Sequence, residues 1–143
     1  MKARSKPANP VKPASACPCG RAQSYADCCG RHHAGLAAPT AEALMRSRYS
    51  AYALGLGNYL LATWAEETRP SELDLATPPQ PQWLGLEVRH AQEEGDSAVV
   101  EFIARCKING RAQRLQERSR FVRRWLGEAW RWYYVDGEFP DAG

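Results

Sequence analysis

The sequence predicts an α+β domain in which helices pack on a curved antiparallel sheet, preceded by a small cysteine-rich module. Apolar residues recur at helical spacing in the first half of the chain and alternate with polar residues in the second half. Four of the five cysteines lie between residues 17 and 29. These patterns divide the 143 residues into a disordered basic leader (1–15), the cysteine-rich module (16–35) and the α+β domain (36–143).

The leader is rich in Pro and Ala and has no acidic residue, a composition typical of a disordered segment. Lys2, Arg4, Lys6 and Lys12 contribute +4, so the rest of the chain sums to −1 within a net charge of +3. That balance does not favour nucleic acid as a partner. Because no segment is apolar for long enough to be a secretory signal or a membrane span, we predict a cytoplasmic protein without membrane contact.

The module has the spacing C-x-C-x8-C-C, in which two turns bring thiols together. In CPCG, proline fixes a tight turn and Gly20 lets the chain reverse without a Cβ clash. In SYADCCG, Ser24 is expected to cap a single helical turn that Gly30 ends in a left-handed conformation. The four converging cysteines are Cys17, Cys19, Cys28 and Cys29.

Four thiolates suit a tetrahedral metal site, which favours zinc, with iron as the alternative ion. His32 or His33 remains an alternative ligand, since adjacent residues such as Cys28 and Cys29 seldom both bind one ion. A site filled by four protein ligands has no position for water, so we expect a structural metal in preference to a redox pair of thiols. Cys106, alone in a later strand, is expected to be buried outside this site.

An amphipathic helix is predicted from Thr40, which is placed to act as the N-cap, with Glu42 in the first turn. Its apolar stripe recurs at intervals of three and four residues through Leu44, Met45 and Tyr49. We expect Gly55, Gly57 and Asn58 to break this helix. The following NYLLATW predicts a second, short helix.

Four later segments predict strands: WLGLEVRHA, SAVVEFIARC, RAQRLQERSRFVRRW and WRWYYVD. The turn sequences EEGD, Asn109-Gly110 and LGE separate them and are short enough to join antiparallel neighbours. We therefore predict a meander of four strands behind the helices.

Arg48 falls inside the apolar stripe, where a buried guanidinium needs a partner. Acidic residues on the predicted strands can supply an ion pair between helix and sheet, the interpretation we favour, while an anion bound in a pocket is the alternative. The candidate pocket residues are Arg48, Tyr52, Trp64, Glu101, Glu117 and Asp136. No acid and base pair up in the sequence, so we predict no catalytic residue.

The long third strand places Arg114, Arg118, Arg120 and Arg124 on one face by alternation. Such a row indicates either an RNA-binding surface or a solvated sheet face with acidic residues on neighbouring strands. We favour the solvated face, because the net charge outside the leader is slightly negative.

CPCGRAQSYADCCG resembles the SEC-C motif of the SecA preprotein translocase ATPase. The resemblance implies Cys17, Cys19, Cys28 and Cys29 as ligands, with Cys29 where that translocase has histidine. By analogy it implies docking of a protein or ribosomal partner, in chaperone or export-related work. This chain has Gly20-Arg21-Ala22 where the motif often has Gly-Ser-Gly, a difference that affects the surface and not the ligands.

LMRSRYSAYALGLGNYLLATW, WLGLEV, ERSRFVRRW and WRWYYVDGEFP are similar to the bacterial YchJ-like family, from about residue 16 to the end. That family implies a cone-shaped, nuclear transport factor two-like (cystatin-like) domain behind an N-terminal SEC-C motif. We therefore expect a metal-binding, non-enzymatic interaction protein. Small-molecule binding or enzymatic activity in the pocket of the cone is the alternative.

Overall fold

The computed structural model describes residues 12–140, which form three helices and one four-stranded sheet. Residues 1–11, and with them most of the predicted leader, lie outside the described residues. Every helix within residues 12–140 is too short or too polar to cross a lipid bilayer. The elements are α1 (Cys29–His33), α2 (Ala41–Leu54), α3 (Gly57–Ala62), β1 (Gln82–Glu94), β2 (Ser97–Ile108), β3 (Arg111–Leu126) and β4 (Ala129–Glu138).

Residues 12–15, at the end of the predicted leader, make backbone hydrogen bonds with one another and with the cysteine-rich module. The Ser15 amide donates to the carbonyl of Lys12 at 3.0 Å, and the Tyr25 amide donates to the carbonyl of Ser15 at 2.7 Å. A β-bridge pairs Ala16 with Ser24. These contacts join residues 12–15 to the cysteine-rich module, and we call residues 12–35 the knuckle.

The main helix, α2, begins as the sequence predicts, because the Thr40 side chain accepts a hydrogen bond from the Ala43 amide at 3.0 Å. It ends at Gly55, whose φ of 75° is left-handed. The expectation that Gly57 and Asn58 also break the helix is wrong, because they form the first turn of α3. One left-handed residue, Gly55, is therefore enough to end α2 before α3 begins.

The sheet is an antiparallel meander in the order β1-β2-β3-β4, which confirms the predicted strands. Asn109 and Gly110 both have positive φ, as do Gly127 and Glu128, which is the geometry of two-residue type I′ hairpins. Register shifts interrupt β1 twice and the pairing of β3 with β4 once. Such bulges bend a strand, and so they curve the sheet.

The main core lies between α2 and the sheet. Helical spacing puts the buried residues of α2 on one side, where they meet the inward side chains of three strands. The residues of this cluster are Ala41, Leu44, Met45, Ala98, Val100, Phe121 and Trp132. A second cluster joins the four cysteines of the knuckle to Tyr49 of α2 and Ala104 of β2.

Candidate metal centre and inner pocket

Four cysteines of the knuckle form one buried cluster. The Sγ atoms of Cys17, Cys19, Cys28 and Cys29 lie within 4.8 Å of one another, and no cysteine among them exposes more than 5% of its surface. The Sγ atoms of Cys19 and Cys28 are 3.6 Å apart. Tetrahedral zinc with Zn–S bonds of about 2.3 Å needs sulfurs about 3.8 Å apart, so the donor set fits a tetrathiolate metal site.

The first turn of the knuckle has the predicted form. The Gly20 amide donates to the carbonyl of Cys17 at 3.2 Å, and Gly20 has a φ of 92°. The Cys17 amide donates to the carbonyl of Gln23 at 3.0 Å, which ties the turn to the returning chain. Backbone hydrogen bonds therefore position Cys17 and Cys19.

The second half differs from the prediction at Gly30. Ser24 Oγ accepts from the Asp27 amide at 3.3 Å, as expected of a capping serine. Gly30, however, lies inside α1 and has no positive φ. A Cβ atom there would lie 2.7 Å from the carbonyl oxygen of Tyr25. Close packing on Tyr25 therefore explains this glycine.

Neighbouring thiols and burial shift the pKa values of Cys17, Cys28 and Cys29. Hydrogen bonds from Cys19 and Cys29 lower the pKa of the Cys17 thiol. Burial and the neighbouring Cys19 raise the pKa of Cys28 to about 11. Hydrogen bonding to Cys17 and Cys19, together with burial, raises the pKa of Cys29. A divalent cation offsets this mutual repulsion and allows all four thiols to ionise together.

Arginine side chains surround the cluster. Arg46 of α2 donates from Nη1 to the carbonyl of Cys19 at 3.1 Å, and Arg31 donates from Nε to the carbonyl of Cys28 at 3.3 Å. Glu42 pairs with both Arg46 and Arg21. Arg46 lies 27 residues from Cys19 in the sequence, so only the fold brings it to the cluster.

The two knuckle histidines are committed to other partners. His33 donates from Nε2 to the carbonyl of Ser47 at 2.8 Å, and its Nδ1 accepts from the Tyr25 hydroxyl at 2.6 Å. His32 donates from Nδ1 to the carbonyl of Leu36 at 2.9 Å. Among the described residues, the group that can hold a metal ion therefore contains cysteines alone.

The cysteine cluster packs directly on the α+β domain. Cys17 Sγ lies 3.7 Å from Ser50 Oγ of α2, and the cysteines contact Tyr49 and Ala104. Cys106 is buried outside the cluster, as predicted. The cysteine cluster, and with it the candidate metal site, is therefore part of the contact between the knuckle and the larger domain.

Arg48 is buried in α2 but makes different contacts from those expected. Its Nη1 donates to the carbonyl of Leu60 at 2.8 Å and to Thr63 Oγ1 at 2.7 Å. The guanidinium carbon lies 4.9 Å and 4.6 Å from the ring centroids of Trp64 and Tyr134. In the described part of the chain, neutral acceptors and aromatic faces thus replace the expected ion pair. Burial lowers the pKa of Arg48 from its usual value.

A cavity of about 190 Å³ opens between α2 and the sheet, and we call it the inner pocket. Of the six candidate pocket residues, Arg48, Tyr52 and Glu117 line it. Trp64 packs against Arg48, and its indole Nε1 is buried without a hydrogen-bond partner in the described structure. Glu117 accepts hydrogen bonds at Oε2 from Ser119 Oγ at 2.8 Å and from the Tyr134 hydroxyl at 3.2 Å.

The other two candidates, Glu101 and Asp136, do not line the inner pocket. Glu101 pairs with Arg118 and accepts from Gln116, and Asp136 forms two hydrogen bonds of 2.6 Å with Arg120. Alternation along the strands turns these carboxylates to the opposite face of the sheet from Glu117. Neither can serve as a partner for Arg48.

Arginines on the exposed face of β3 form ion pairs with acidic residues. Arg118 also pairs with Glu138, and both guanidinium nitrogens Nη1 and Nη2 of Arg124 bind the carboxylate of Glu67. Acidic residues of neighbouring segments thus supply the partners, as expected of a solvated sheet face.

Family comparisons match both parts of the chain. Residues 15–31 match the SEC-C motif, and residues 40–137 match the family described as YchJ, middle NTF2-like domain. A UPF0225 protein of Bordetella pertussis is 54% identical over 134 residues, covering 91% of this chain and 96% of that protein. A UPF0225 protein of Cupriavidus metallidurans is 56% identical over 129 residues, covering 87% and 89%.

Two solved structures of SEC-C motif containing proteins have the same fold. The solution structure from Rhodopseudomonas palustris is 38% identical, with a TM-score of 0.75, and the match covers 87% of this chain and 98% of that chain. The crystal structure from Psychrobacter arcticus is 29% identical, with a TM-score of 0.74, and covers 92% and 84%.

Proposed function

The chain belongs to the YchJ-like family, with an NTF2-like domain behind a SEC-C motif, and we propose that it is a non-enzymatic, metal-binding interaction protein of the cytoplasm. In this proposal zinc fixes the shape of the knuckle, and the exposed side of the knuckle docks a protein or ribosomal partner. The work served is chaperone or export-related, by analogy with the SEC-C motif of the translocase.

The observation that carries this proposal is the closed, buried cluster of four sulfurs. Four thiolates complete the tetrahedral shell of zinc, so no ligand position is left for a water or a substrate. The cysteines come from both turns of the knuckle, and the ion therefore cross-links them. Zinc at this position contributes stability and shape, not chemistry.

The exposed side of the knuckle supports the docking role. Residues 20–23, Ala26, Asp27 and Arg31 are exposed, and none of them is a cysteine ligand. We call this surface the outer face of the knuckle. A surface held rigid by a metal loses little conformational entropy when a partner binds, which favours recognition by a unit of this small size.

Docking is tested with substitutions that change the outer face and spare the ligands. Full-length protein carrying Ala22→Glu and Ala26→Glu is compared with wild type and with Ala112→Glu, an exposed position on β3. Each is immobilised with its zinc and exposed to cell lysate. We expect a partner that wild type and Ala112→Glu retain and the double variant loses, at equal metal content. A partner retained equally by all three would contradict docking through the knuckle.

The identity of the metal is tested on protein purified without added metal. We expect about one zinc per chain and no visible absorption. Iron held by four thiolates absorbs visible light, so a coloured protein with stoichiometric iron would overturn the assignment of zinc while leaving the tetrathiolate site in place.

A further inference from the structure

The inner pocket brings a buried cation and a carboxylate to one cavity without joining them. Arg48 and Glu117 both line it, yet the described contacts of Arg48 are with neutral acceptors and aromatic rings. A buried guanidinium gains most from strong acceptors. The space between these two side chains is therefore the polar end of the cavity, and it suits a group that bridges them.

Arg48 retains hydrogen-bonding capacity. A guanidinium has five N–H donors, and the bonds from Nη1 to Leu60 and Thr63 use two of them. Burial raises the pKa of Tyr52, which also lines the pocket, while the charge of Arg48 and a side-chain hydrogen bond with it act in the opposite direction. At least two N–H donors of Arg48 remain after this contact. The Arg48 side of the cavity thus favours a ligand atom that accepts hydrogen bonds.

Glu117 presents the opposite preference. Its Oε2 accepts from Ser119 and Tyr134, while neither of these bonds involves Oε1. A carboxylate is purely an acceptor when ionised, so Oε1 favours a ligand atom that donates a hydrogen bond. The two ends of the polar region therefore require an acceptor and a donor on one edge of the ligand.

The walls set the body of the ligand. Trp83, Phe102, Phe121 and Met45 supply apolar, mostly aromatic surfaces. A cavity of about 190 Å³ holds a flat ring system of about ten non-hydrogen atoms. One cation and one carboxylate leave the lining without net charge, so an uncharged ligand enters without leaving an unpaired charge in apolar surroundings.

We propose that the inner pocket binds an uncharged planar ring compound of the cyclic amide class, with its carbonyl oxygen on Arg48 and its N–H group on Glu117. This site is separate from the outer face of the knuckle, so it does not depend on the docking function proposed above. Trp83 and Phe102 also pack against the cysteine cluster, so the metal centre supports one wall of the cavity.

The probe is isoquinolin-1-one, a fused cyclic amide, titrated into the zinc-loaded full-length protein. Binding is followed by the indole N–H resonance of Trp83, with those of the exposed Trp125 and Trp130 as internal references. We expect saturable shifts of Trp83 and none of Trp125 or Trp130, with a Kd below about 1 mM. N-methylisoquinolin-1-one, which lacks the donor, is expected to bind at least about tenfold more weakly.

Two variants locate the site on the protein. Leu115→Trp fills the mouth of the pocket from a residue that is 40% exposed, so it is expected to abolish binding and leave thermal unfolding unchanged. Glu117→Gln keeps the shape but removes the charge from the acceptor, and is expected to weaken binding about fivefold.

Three results would overturn the proposal. Absence of a Trp83 shift at several millimolar probe would mean that the cavity does not take this ligand class. Equal affinity for the N-methyl analogue would mean that Glu117 does not recognise the donor. Tighter binding of 1-naphthoate than of the lactam would identify an anion site at Arg48 instead.

Discussion

The knuckle and the sheet use the same residue types in different surroundings. Each offers a cysteine, a glycine and a histidine, and each has an arginine on it or packed against it, at a position that invites a functional interpretation. For the knuckle these are its own Cys28, Gly30 and His33 together with Arg46 of α2, and all four make close contacts with neighbours. In the sheet they are Cys106, Gly85, His90 and Arg120. Cys106 lies outside the cysteine cluster, a Cβ atom at Gly85 would have no neighbour within 4 Å, and His90 and Arg120 are exposed.

The difference shows how burial and a supply of partners set the contribution of a side chain. An exposed ion pair such as Arg120–Asp136 is screened by water, whatever its geometry. When a buried polar group loses its partner, no water can take the partner's place, so the free energy of unfolding falls by the full cost of leaving that group without a hydrogen bond. The same substitution can be made at both residues of each pair, and the expected difference in stability decreases from the cysteines to the glycines, the histidines and the arginines.

The largest difference is expected between Cys28→Ala and Cys106→Ala. Loss of one thiolate leaves three ligands, so we expect zinc to fall from about one per chain to a small fraction after dialysis against a chelator. Because a zinc ion held by all four cysteines would cross-link the knuckle, we also expect the free energy of unfolding to fall by about 3 kcal/mol or more. Elemental analysis and thermal unfolding measure the two effects.

Cys106→Ala is the control, since Cys106 is buried but stands outside the cluster. It is expected to keep its zinc and to lose only the packing of one sulfur. If Cys28→Ala retained stoichiometric zinc, the assignment of Cys28 as a ligand would be wrong.

The clustering of the four cysteines and the main elements could be predicted from the sequence because local spacing decides them. C-x-C and adjacent cysteines place sulfurs by short turns, and the Thr40 cap and the Asn109-Gly110 hairpin depend on their own backbone. The meander could also be predicted, because turns this short can only connect neighbouring strands that run antiparallel.

The contacts of Arg48, Arg46 and Gly30 could not be predicted, because distant parts of the chain supply them. Helical periodicity predicts that Arg48 is buried, but it does not predict that Arg48 stacks on the Trp64 ring and donates to a backbone carbonyl. Gly30 has the sequence pattern of a helix end, and only the position of Tyr25 shows that packing requires it. Alternation alone does not settle which of several acidic strand residues faces inward.

The second difference is expected between Gly30→Ala and Gly85→Ala. A methyl group at Gly30 meets the Tyr25 carbonyl at 2.7 Å, and a backbone atom cannot move aside without disturbing the knuckle. We expect a loss of about 2 kcal/mol in urea unfolding. At Gly85 nothing lies within 4 Å of the added methyl, so stability should stay near that of wild type. Equal stability of the two variants would show that the knuckle yields at Tyr25.

The third difference concerns the pH dependence of stability. Burial lowers the pKa of His33 below its ordinary 6.5, so below that pH the unfolded chain binds a proton that the folded chain does not. Stability is therefore fully present above about pH 6.5 and falls as the pH drops toward the folded pKa, by up to about 1.4 kcal/mol per pH unit.

His33→Gln removes this titration, and its unfolding midpoint in saturating zinc should depend less on pH between 7.5 and 5.5. Protonation of the thiolates acts equally on both proteins, so the difference between their slopes reports His33. His90→Gln, at an exposed position, should keep the wild-type slope. A slope unchanged in His33→Gln would mean that His33 does not carry the pH dependence.

The smallest difference is expected between Arg46→Gln and Arg120→Gln. Arg46 exposes only 17% of its side chain and binds the carbonyl of Cys19, so its loss removes a charge-assisted bond beside the thiolates. We expect about 1 kcal/mol of destabilisation and faster loss of zinc to a chelator.

Arg120 forms the shorter bonds, to Asp136, but its side chain is 64% exposed. Its substitution should leave both the unfolding midpoint and the rate of zinc loss unchanged, because water replaces the lost partner. If Arg120→Gln were the more destabilising variant, hydrogen-bond geometry and not burial would determine how much these arginines contribute to the free energy of unfolding.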